Sequence, residues 1–423
     1  MAKASTKSAR SKAKKPALPD RCDVFVAGAG YVGLATALSV AGGAPDLSVV
    51  VADAAPEGVW EKDGRASAIA AAACKMLEAL DCWDALVPHA QPMTEMIVTD
   101  SRTADPVRPV FLTFDGDVAP GEPFAHMLPN VEMNRILRQR CAEAGVTIVQ
   151  GAGVTGFERD GALTRIMAGD DTIVEARLLI ACDGVRSRLR DMAGIRTVHW
   201  DYGQSGIVAT IAHERPHEGR AEEHFLPAGP FAILPLTGNR SSIVWTESTE
   251  NAERLLKADP FTFEMELEQR FGLKLGELTV EDGPRAYPLG LTLARDFVAE
   301  RFALAGDAAH GIHPIAGQGL NLGFKDAAAL AETVVEAHRL GQDIGALDVL
   351  ERYQRWRRFD TVQMGVTTDV LNRLFSNDLA PVRAVRDLGL GLVDRMPQLK
   401  SFFIRQAAGL AGPAPRLLRG DPI

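Results

Sequence analysis

The stretch "CDVFVAGAGYVGLATALSVAGG", Cys22 to Gly43, decides how the rest of the chain is read. Cys22–Ala27 has the apolar pattern of a strand, Gly28-Ala29-Gly30-Tyr31-Val32-Gly33 follows, and an Ala/Leu-rich helix pattern closes the unit. Each glycine of such a GxGxxG loop has a separate task. The first makes the tight turn, the second lets backbone N–H groups approach a pyrophosphate, and the third lets helix and strand pack closely. The helix N-terminus adds unpaired donors and partial positive charge for the phosphates. A second strand, "LSVVVAD", ends in Asp53, twenty residues past Gly33. An acid there accepts from ribose hydroxyls and repels a 2′-phosphate. Strand, helix and acid together favour a dinucleotide loop over a plain small-residue turn.

The same region, Val24 to Ala44, runs 21 residues without a charge, long enough to cross a bilayer. Its five glycines and its strand–turn–helix pattern predict a buried α/β unit instead. With 423 residues the chain can bury a large core in two interlocked domains. A net charge of −9 argues against nucleic acid as a partner. The first 19 residues hold six basic side chains and no acid, so the remainder sums to −15. That tail lacks apolar content and any hydrophobic signal segment, and is expected to be solvated. The five cysteines are scattered without a CxxC pair, which suits a reduced cytoplasmic protein with no zinc site and no disulfide framework.

Two further stretches repeat the theme of a strand ending in a small polar turn. "ARLLIACDGVRSRLRDMAGI" is a strand followed by Asp183-Gly184, with Ser187 and Arg190 opening a short helix. "RFALAGDAAHGIHPIAGQGLNLGFKDAAALAETVVEAHRL", Arg301 to Leu340, is a buried strand, then Gly306-Asp307, a Pro/Gly turn and a long helix. Packing alone needs neither the carboxylate nor the glycine-rich helix start. A large ligand with hydroxyls at one end and a polar ring at the other needs both.

The three fingerprints together resemble the class A flavoprotein aromatic hydroxylases, the para-hydroxybenzoate hydroxylase group. "HPIAGQGLNLGFKDAAALAE", "FLPAGPFAILPLTGNRSSIVW" (Phe225–Trp245) and "YQRWRRFDTVQMGVTTDVLNRLFSND" narrow this to a close resemblance to the ubiquinone-biosynthesis hydroxylases, the UbiH/UbiF/Coq6 family. The resemblance covers nearly everything from residue 22 onward. It departs at "GRASAIAAAACKML", almost all alanine where the family is usually serine-rich.

The resemblance implies FAD as cofactor, held by Gly28, Gly30, Gly33, Asp53, Asp183, Gly184, Gly306 and Asp307, with Asp307 on the ribityl chain. It implies that the flavin-facing turn, Pro314, Gly317, Gln318 and Gly319, presents backbone N–H groups to the N1–C2=O edge. A helix N-terminus stabilises the anionic N1 of reduced flavin. No side chain is singled out as catalytic. Arg65, read as opening the helix "ASAIAAAACKMLEAL", contacts FAD by resemblance, or pairs with Asp63 at the surface. Arg135, in "VEMNRILRQRC", either lies near the flavin or belongs to a solvated helical face. Asn321 likewise lies near the flavin or caps the long helix. His310 and His313 are spaced like metal ligands, but Pro314 forces His313 toward extended geometry and no third ligand is apparent. Both are expected to be satisfied structural histidines, and no metal is assigned. Lys325 and Asp326 are expected to be structural.

The expected fold is α/β. A discontinuous Rossmann-like FAD-binding domain (20–90, 130–195 and 285–344) carries an inserted, mostly antiparallel substrate domain (91–129 and 196–284). A basic tail (1–19) precedes it and a helical C-terminal region (345–423) follows. The resemblance implies that NAD(P)H acts as a transient reductant and that the reduced flavin reacts with O₂ to give a C4a-hydroperoxide. A polyprenylated phenol then attacks that oxidant. The absence of a second GxGxxG fits transient reductant binding and leaves a protein electron donor open. Competing readings are a hydroxylase of small aromatic acids, a prenyl reductase, or a non-catalytic FAD-bound subunit of a biosynthetic complex. Leu379 to Arg419 carries seven basic residues against two acids, with apolar residues between them. It reads either as packing on the FAD domain or as a contact for the inner face of the membrane or a biosynthetic complex.

Overall fold

Five parallel strands run in the spatial order Phe302–Leu304, Thr172–Ala181, Arg21–Ala27, Val49–Asp53 and Thr147–Gln150. The computed structural model describes residues 17–100, 110–115, 118, 121–313, 317–375, 408–410, 412 and 414–423. Most of the basic tail, Pro314 and most of the basic run after Leu379 lie outside the described residues. Val24, Phe25 and Val26 of the central strand are fully buried, as a strand covered on both faces must be. An antiparallel hairpin, Val154–Asp160 and Leu163–Ala168, extends the sheet beside Thr172–Ala181. The helix Tyr31–Gly43 packs against the helices Asn130–Glu143 and Gln318–Arg339.

The strand order reverses at Arg21–Ala27, and open α/β sheets bind ligands at the carboxyl ends of the strands beside such a reversal. Ala27 pairs with Ala181, and Ala181 with Leu304. The glycine loop, Asp183-Gly184 and Gly306-Asp307 therefore leave one edge of one sheet, although nearly three hundred residues separate them in sequence.

A second, eight-stranded sheet is antiparallel except where Glu95–Asp100 runs parallel to Arg220–Leu226. Its order continues through Gly229–Leu236, Arg240–Ser248, Thr197–His213 and Leu278–Ala294. Phe231, Ile243 and Trp245 pack on its outer face with Leu255, Phe263 and Phe271 of two helices, leaving the other face toward the parallel sheet. Gln91–Met93 and Ala125–Pro129 leave this sheet and form a three-stranded one with Ala66–Ala70.

That last strand corrects the reading of Arg65 as the start of a helix. Ala66–Ala70 is extended, and the helix covers only Ala71–Ala79. Alanine favours helix by a few tenths of a kcal/mol per residue, which tertiary contacts readily outweigh. Here Ala66–Ala70 pairs with Ala125–Pro129, and Asn321 clamps it from the other side.

Candidate active site

The glycines of the first loop divide by what surrounds them. Gly28 has φ +114°, and a Cβ there would lie 2.3 Å from the Cys182 carbonyl oxygen. A Cβ on Gly33 would lie 2.0 Å from the Gly28 carbonyl oxygen, so helix and strand close only without one. A Cβ on Gly30 would meet nothing within 4 Å, because Gly30 faces a cleft of about 1110 Å³. The helix beginning at Tyr31 has no side-chain cap and no acid in its first turn, so its N–H groups stay available there. Asp53 grips the loop, accepting from Ala29 N at 2.6 Å and Ala55 N at 2.7 Å. A carboxylate has about four acceptor sites, which leaves room for ribose hydroxyls.

The other two fingerprints close on the same cleft. Asp183 accepts from Leu189 N at 3.3 Å and fixes the turn in which Gly184 opens on the cleft. Buried Arg190 donates to the carbonyls of Val185 at 3.2 Å and Ala308 at 3.0 Å, tying Asp183-Gly184 to Gly306-Asp307. Beneath them Asp326 accepts from Gly306 N at 3.0 Å, His310 Nε2 at 2.5 Å and Arg357 Nε at 2.8 Å. Burial alone would raise the pKa of Asp326, but His310 and Arg357 outweigh it and hold the carboxylate ionised. Asp307 is exposed into the cleft and has no partner among the described residues. Crowding by the walls strips its hydration and pushes its pKa up, against the pull of His310 and Arg65.

Gly317 takes a left-handed conformation (φ +63°) and starts the helix Gln318–Arg339, which has no side-chain cap and no acid in its first turn. Gly317, Gln318 and Gly319 line the cleft, and a Cβ on Gly319 would meet open space. Asn321 combines both of its expected roles: it lines the cleft, and it accepts from Ala70 N at 2.9 Å while donating to Ala68 O at 2.9 Å and Gly317 O at 3.0 Å.

The arginines divide between the alternatives that the sequence left open. Arg65 lines the cleft while held by Asp63 through bonds of 2.7 and 2.8 Å. Burial opposes the charge on Asp63, but bonds from Arg65 and Tyr31 hold its pKa well below the usual range. Arg135 stands outside the cleft lining on the exposed side of its helix, 2.8 Å from Glu132. Arg138, one turn on, donates instead to the Ala29 carbonyl at 3.2 Å and stacks over Trp60. No signal in "NRILRQR" separates the two. His313 departs from the expectation of a satisfied structural histidine. It is fully buried, both ring nitrogens lack a hydrogen-bond partner among the described residues, and burial lowers its pKa to about 4. His310 is held by Asp326 as a structural histidine would be.

The fingerprints share the cleft with Met93, Met96, Phe124, Leu234 and Leu289, which give it an apolar lining. The volume, about 1110 Å³, lies above the roughly 300–1,000 Å³ range of small-ligand pockets. Glu223, which the sequence did not single out, opens into the same space. FAD fits this donor set: open positions at Gly30 and Gly319, two helix starts without a side-chain cap, and Asp307, which has no partner among the described residues. Among the described residues, no three His, Cys, Asp or Glu side chains cluster closely enough to hold a metal ion.

The sequence model of the FAD binding domain family matches residues 21–362. The chain is 44% identical over 411 residues to the ubiquinone hydroxylase UbiL of Rhodospirillum rubrum, covering 95% of this chain and 93% of that protein. It is 32% identical over 398 residues to the 3-demethoxyubiquinol 3-hydroxylase of Escherichia coli, covering 92% of this chain and 98% of the other. The p-nitrophenol 4-monooxygenase PnpA of Pseudomonas putida shares the fold, with a TM-score of 0.76 at 20% identity over 93% of this chain and 99% of that one.

Proposed function

The chain belongs to the FAD-binding family of ubiquinone-biosynthesis hydroxylases, and from that premise we propose that it is an FAD-dependent monooxygenase hydroxylating the ring of a polyprenylated phenol. The observation that carries this reading is the convergence of three distant fingerprints on one edge of the parallel sheet, at a cleft of about 1110 Å³ that also has an apolar lining. When bound and reduced by NAD(P)H, FAD supplies the electrons that activate O₂ for transfer of one oxygen atom.

The chain's own residues do the rest. The N-terminus at Tyr31 and the open position at Gly30 receive the pyrophosphate, with Asp53 on the adenosine ribose. Asp307 accepts from ribityl hydroxyls, and Arg65, fixed by Asp63, sets a cation at the cleft wall. The N–H groups at Gln318 and Gly319 stabilise negative charge on the ring edge. Met93, Met96, Phe124 and Leu234 keep the reacting end dry, so that the activated oxygen reaches the phenol ring before water discharges it as peroxide. A polyprenyl tail is a membrane lipid, and we place the protein at the inner membrane face, in contact with anionic lipid or with partner enzymes.

Deletion of the gene with profiling of the quinone intermediates tests the assignment. A single accumulated precursor is expected, one ring hydroxyl short of its successor, and it names the carbon attacked. Unchanged quinone intermediates, together with purified protein that converts NAD(P)H and O₂ only to peroxide, would overturn it.

A further inference from the structure

The cleft-facing side of the strand Arg220–Leu226 carries a carboxyl group that the fold does not use. Side chains alternate along a strand. Glu222 reaches Lys274 at 2.9 Å, and His224 lies 3.2 Å from Glu222 and 2.6 Å from Thr99. Burial opposes ionisation of Glu222, but His224 and Lys274 outweigh it and lower its pKa to about 2. Glu223, between these two, opens on the cleft instead. It is 4% exposed and has no hydrogen bond or ion pair with a described residue.

Its surroundings are apolar. Ala232 and Val98 stand opposite it on the neighbouring strands, and Val244 stands beyond Ala232. Gly229–Leu236 has no titratable side chain, and on Glu95–Asp100 the carboxylate of Glu95 is held by Arg220 while Asp100 is buried. The charged and titratable groups of the other cleft walls are Tyr31, Arg65, Cys182, Arg186, Arg190, Asp191, His199, Asp201 and Asp307. None of these shifts Glu223; loss of hydration alone raises its pKa to about 7. Burying an uncompensated carboxyl group is costly, and a group poised near neutral pH suits proton transfer.

Resting on the hydroxylase reading above, we propose that Glu223 is a catalytic residue that accepts the proton of the substrate's ring hydroxyl during oxygen transfer. The ring carbon bonds to the distal oxygen of the O₂-derived oxidant as the O–O bond breaks, and the other oxygen departs with that electron pair to end as water. The O–H proton passes to a Glu223 carboxylate oxygen, and its electron pair moves into the ring to drive the attack. The hydrogen on the hydroxylated carbon then leaves as a proton that goes to the departing oxygen on its way to water, the ring recovers aromaticity, and Glu223 returns its proton to the ring oxygen. NAD(P)H supplies the two electrons.

The full chain loaded with FAD, with 2-geranylphenol and its methyl ether as probes, tests this. Binding is read from perturbation of the flavin absorbance. The wild type is expected to bind the phenol about tenfold more tightly than the ether, with Glu223→Leu erasing the difference. Its kcat/KM for product should rise with pH through about 7, where the base ionises. Glu223→Gln should keep its FAD, lose product per NAD(P)H at least tenfold and lose that pH limb, while Glu223→Asp restores part of both. Product yield and pH profile unchanged in Glu223→Gln, or an unchanged phenol-to-ether ratio in Glu223→Leu, would overturn the proposal. If Glu223→Gln fails to fold, a wild-type profile flat across pH 7 overturns it just as well. A wild type that neither binds nor hydroxylates the phenol refutes the hydroxylase reading itself, an outcome distinct from hydroxylation that survives loss of Glu223.

Discussion

Asp307 and Glu223 both face the cleft without a partner among the described residues, and both are pushed toward the protonated form by lost hydration. For Asp307 the expected partner is a hydroxyl-bearing chain. Hydrogen bonds to a charged group are worth about 1.5–3 kcal/mol, so Asp307→Ala should weaken FAD binding tenfold or more, read as flavin retained through gel filtration. Full retention would show that the ribityl contact lies elsewhere. Glu223 makes a second prediction, on stability. Between its ordinary pKa near 4.5 and its raised value near 7 the folded protein holds a proton that the unfolded chain has released. Its contribution to stability therefore falls as pH rises through that window. Glu223→Gln should raise the melting temperature at pH 8 and change it little at pH 5; equal shifts at both would remove the titration as the cause. Asp307 was legible in the sequence because it follows a glycine at a strand end. Glu223 was not, because "EEHFL" puts two glutamates side by side and only the finished sheet decides which one meets solvent and cations.

At the scale of elements, the first loop makes a paired prediction. Gly30 faces open cleft, whereas Gly33 meets the Gly28 carbonyl oxygen. Gly30→Val should leave soluble protein that no longer binds FAD, because its side chain occupies the pyrophosphate's place. Gly33→Ala should lower stability by at least about 1–3 kcal/mol through overpacking, with or without FAD. Denaturant unfolding and flavin content of the two variants check both. If Gly30→Val binds FAD as the wild type does, the loop is a structural turn only. Periodicity and turn chemistry made this strand, loop and helix legible, along with the strands ending at Ala181 and Leu304. The strand Ala66–Ala70 was hidden, because its conformation depends on an asparagine some 250 residues away. Local propensity carries no trace of such a partner.

At the scale of the molecule, a lipid-tailed substrate raises the question of how it leaves the membrane for the cleft. Among the described residues no helix is long and apolar enough to cross a membrane. The helix Leu347–Phe375 does carry an outward apolar row: Phe359, Val362, Val366 and Val370 are 76, 41, 53 and 53% exposed. Their spacing of three or four residues places them on one face. The sequence that follows, with Arg383, Arg386, Arg395, Lys400 and Arg405, is basic in a protein whose net charge is −9. Its far end is anchored: Leu417 and Leu418 are buried in the core of the parallel sheet, and Arg416 pairs with Glu332 and Glu336. An apolar row followed in sequence by a basic run suits an anionic bilayer surface, where each Lys or Arg adds about 1 kcal/mol. The full chain should co-sediment with vesicles rich in phosphatidylglycerol, and release at high salt, since a Debye length near 3 Å at 1 M screens the attraction. Charge reversal at Arg395, Lys400 and Arg405 should abolish the binding, and Phe359→Ser should weaken it at every salt concentration. Sedimentation unchanged in both variants would leave the basic run no membrane role, and the substrate would then have to be handed over by a partner enzyme.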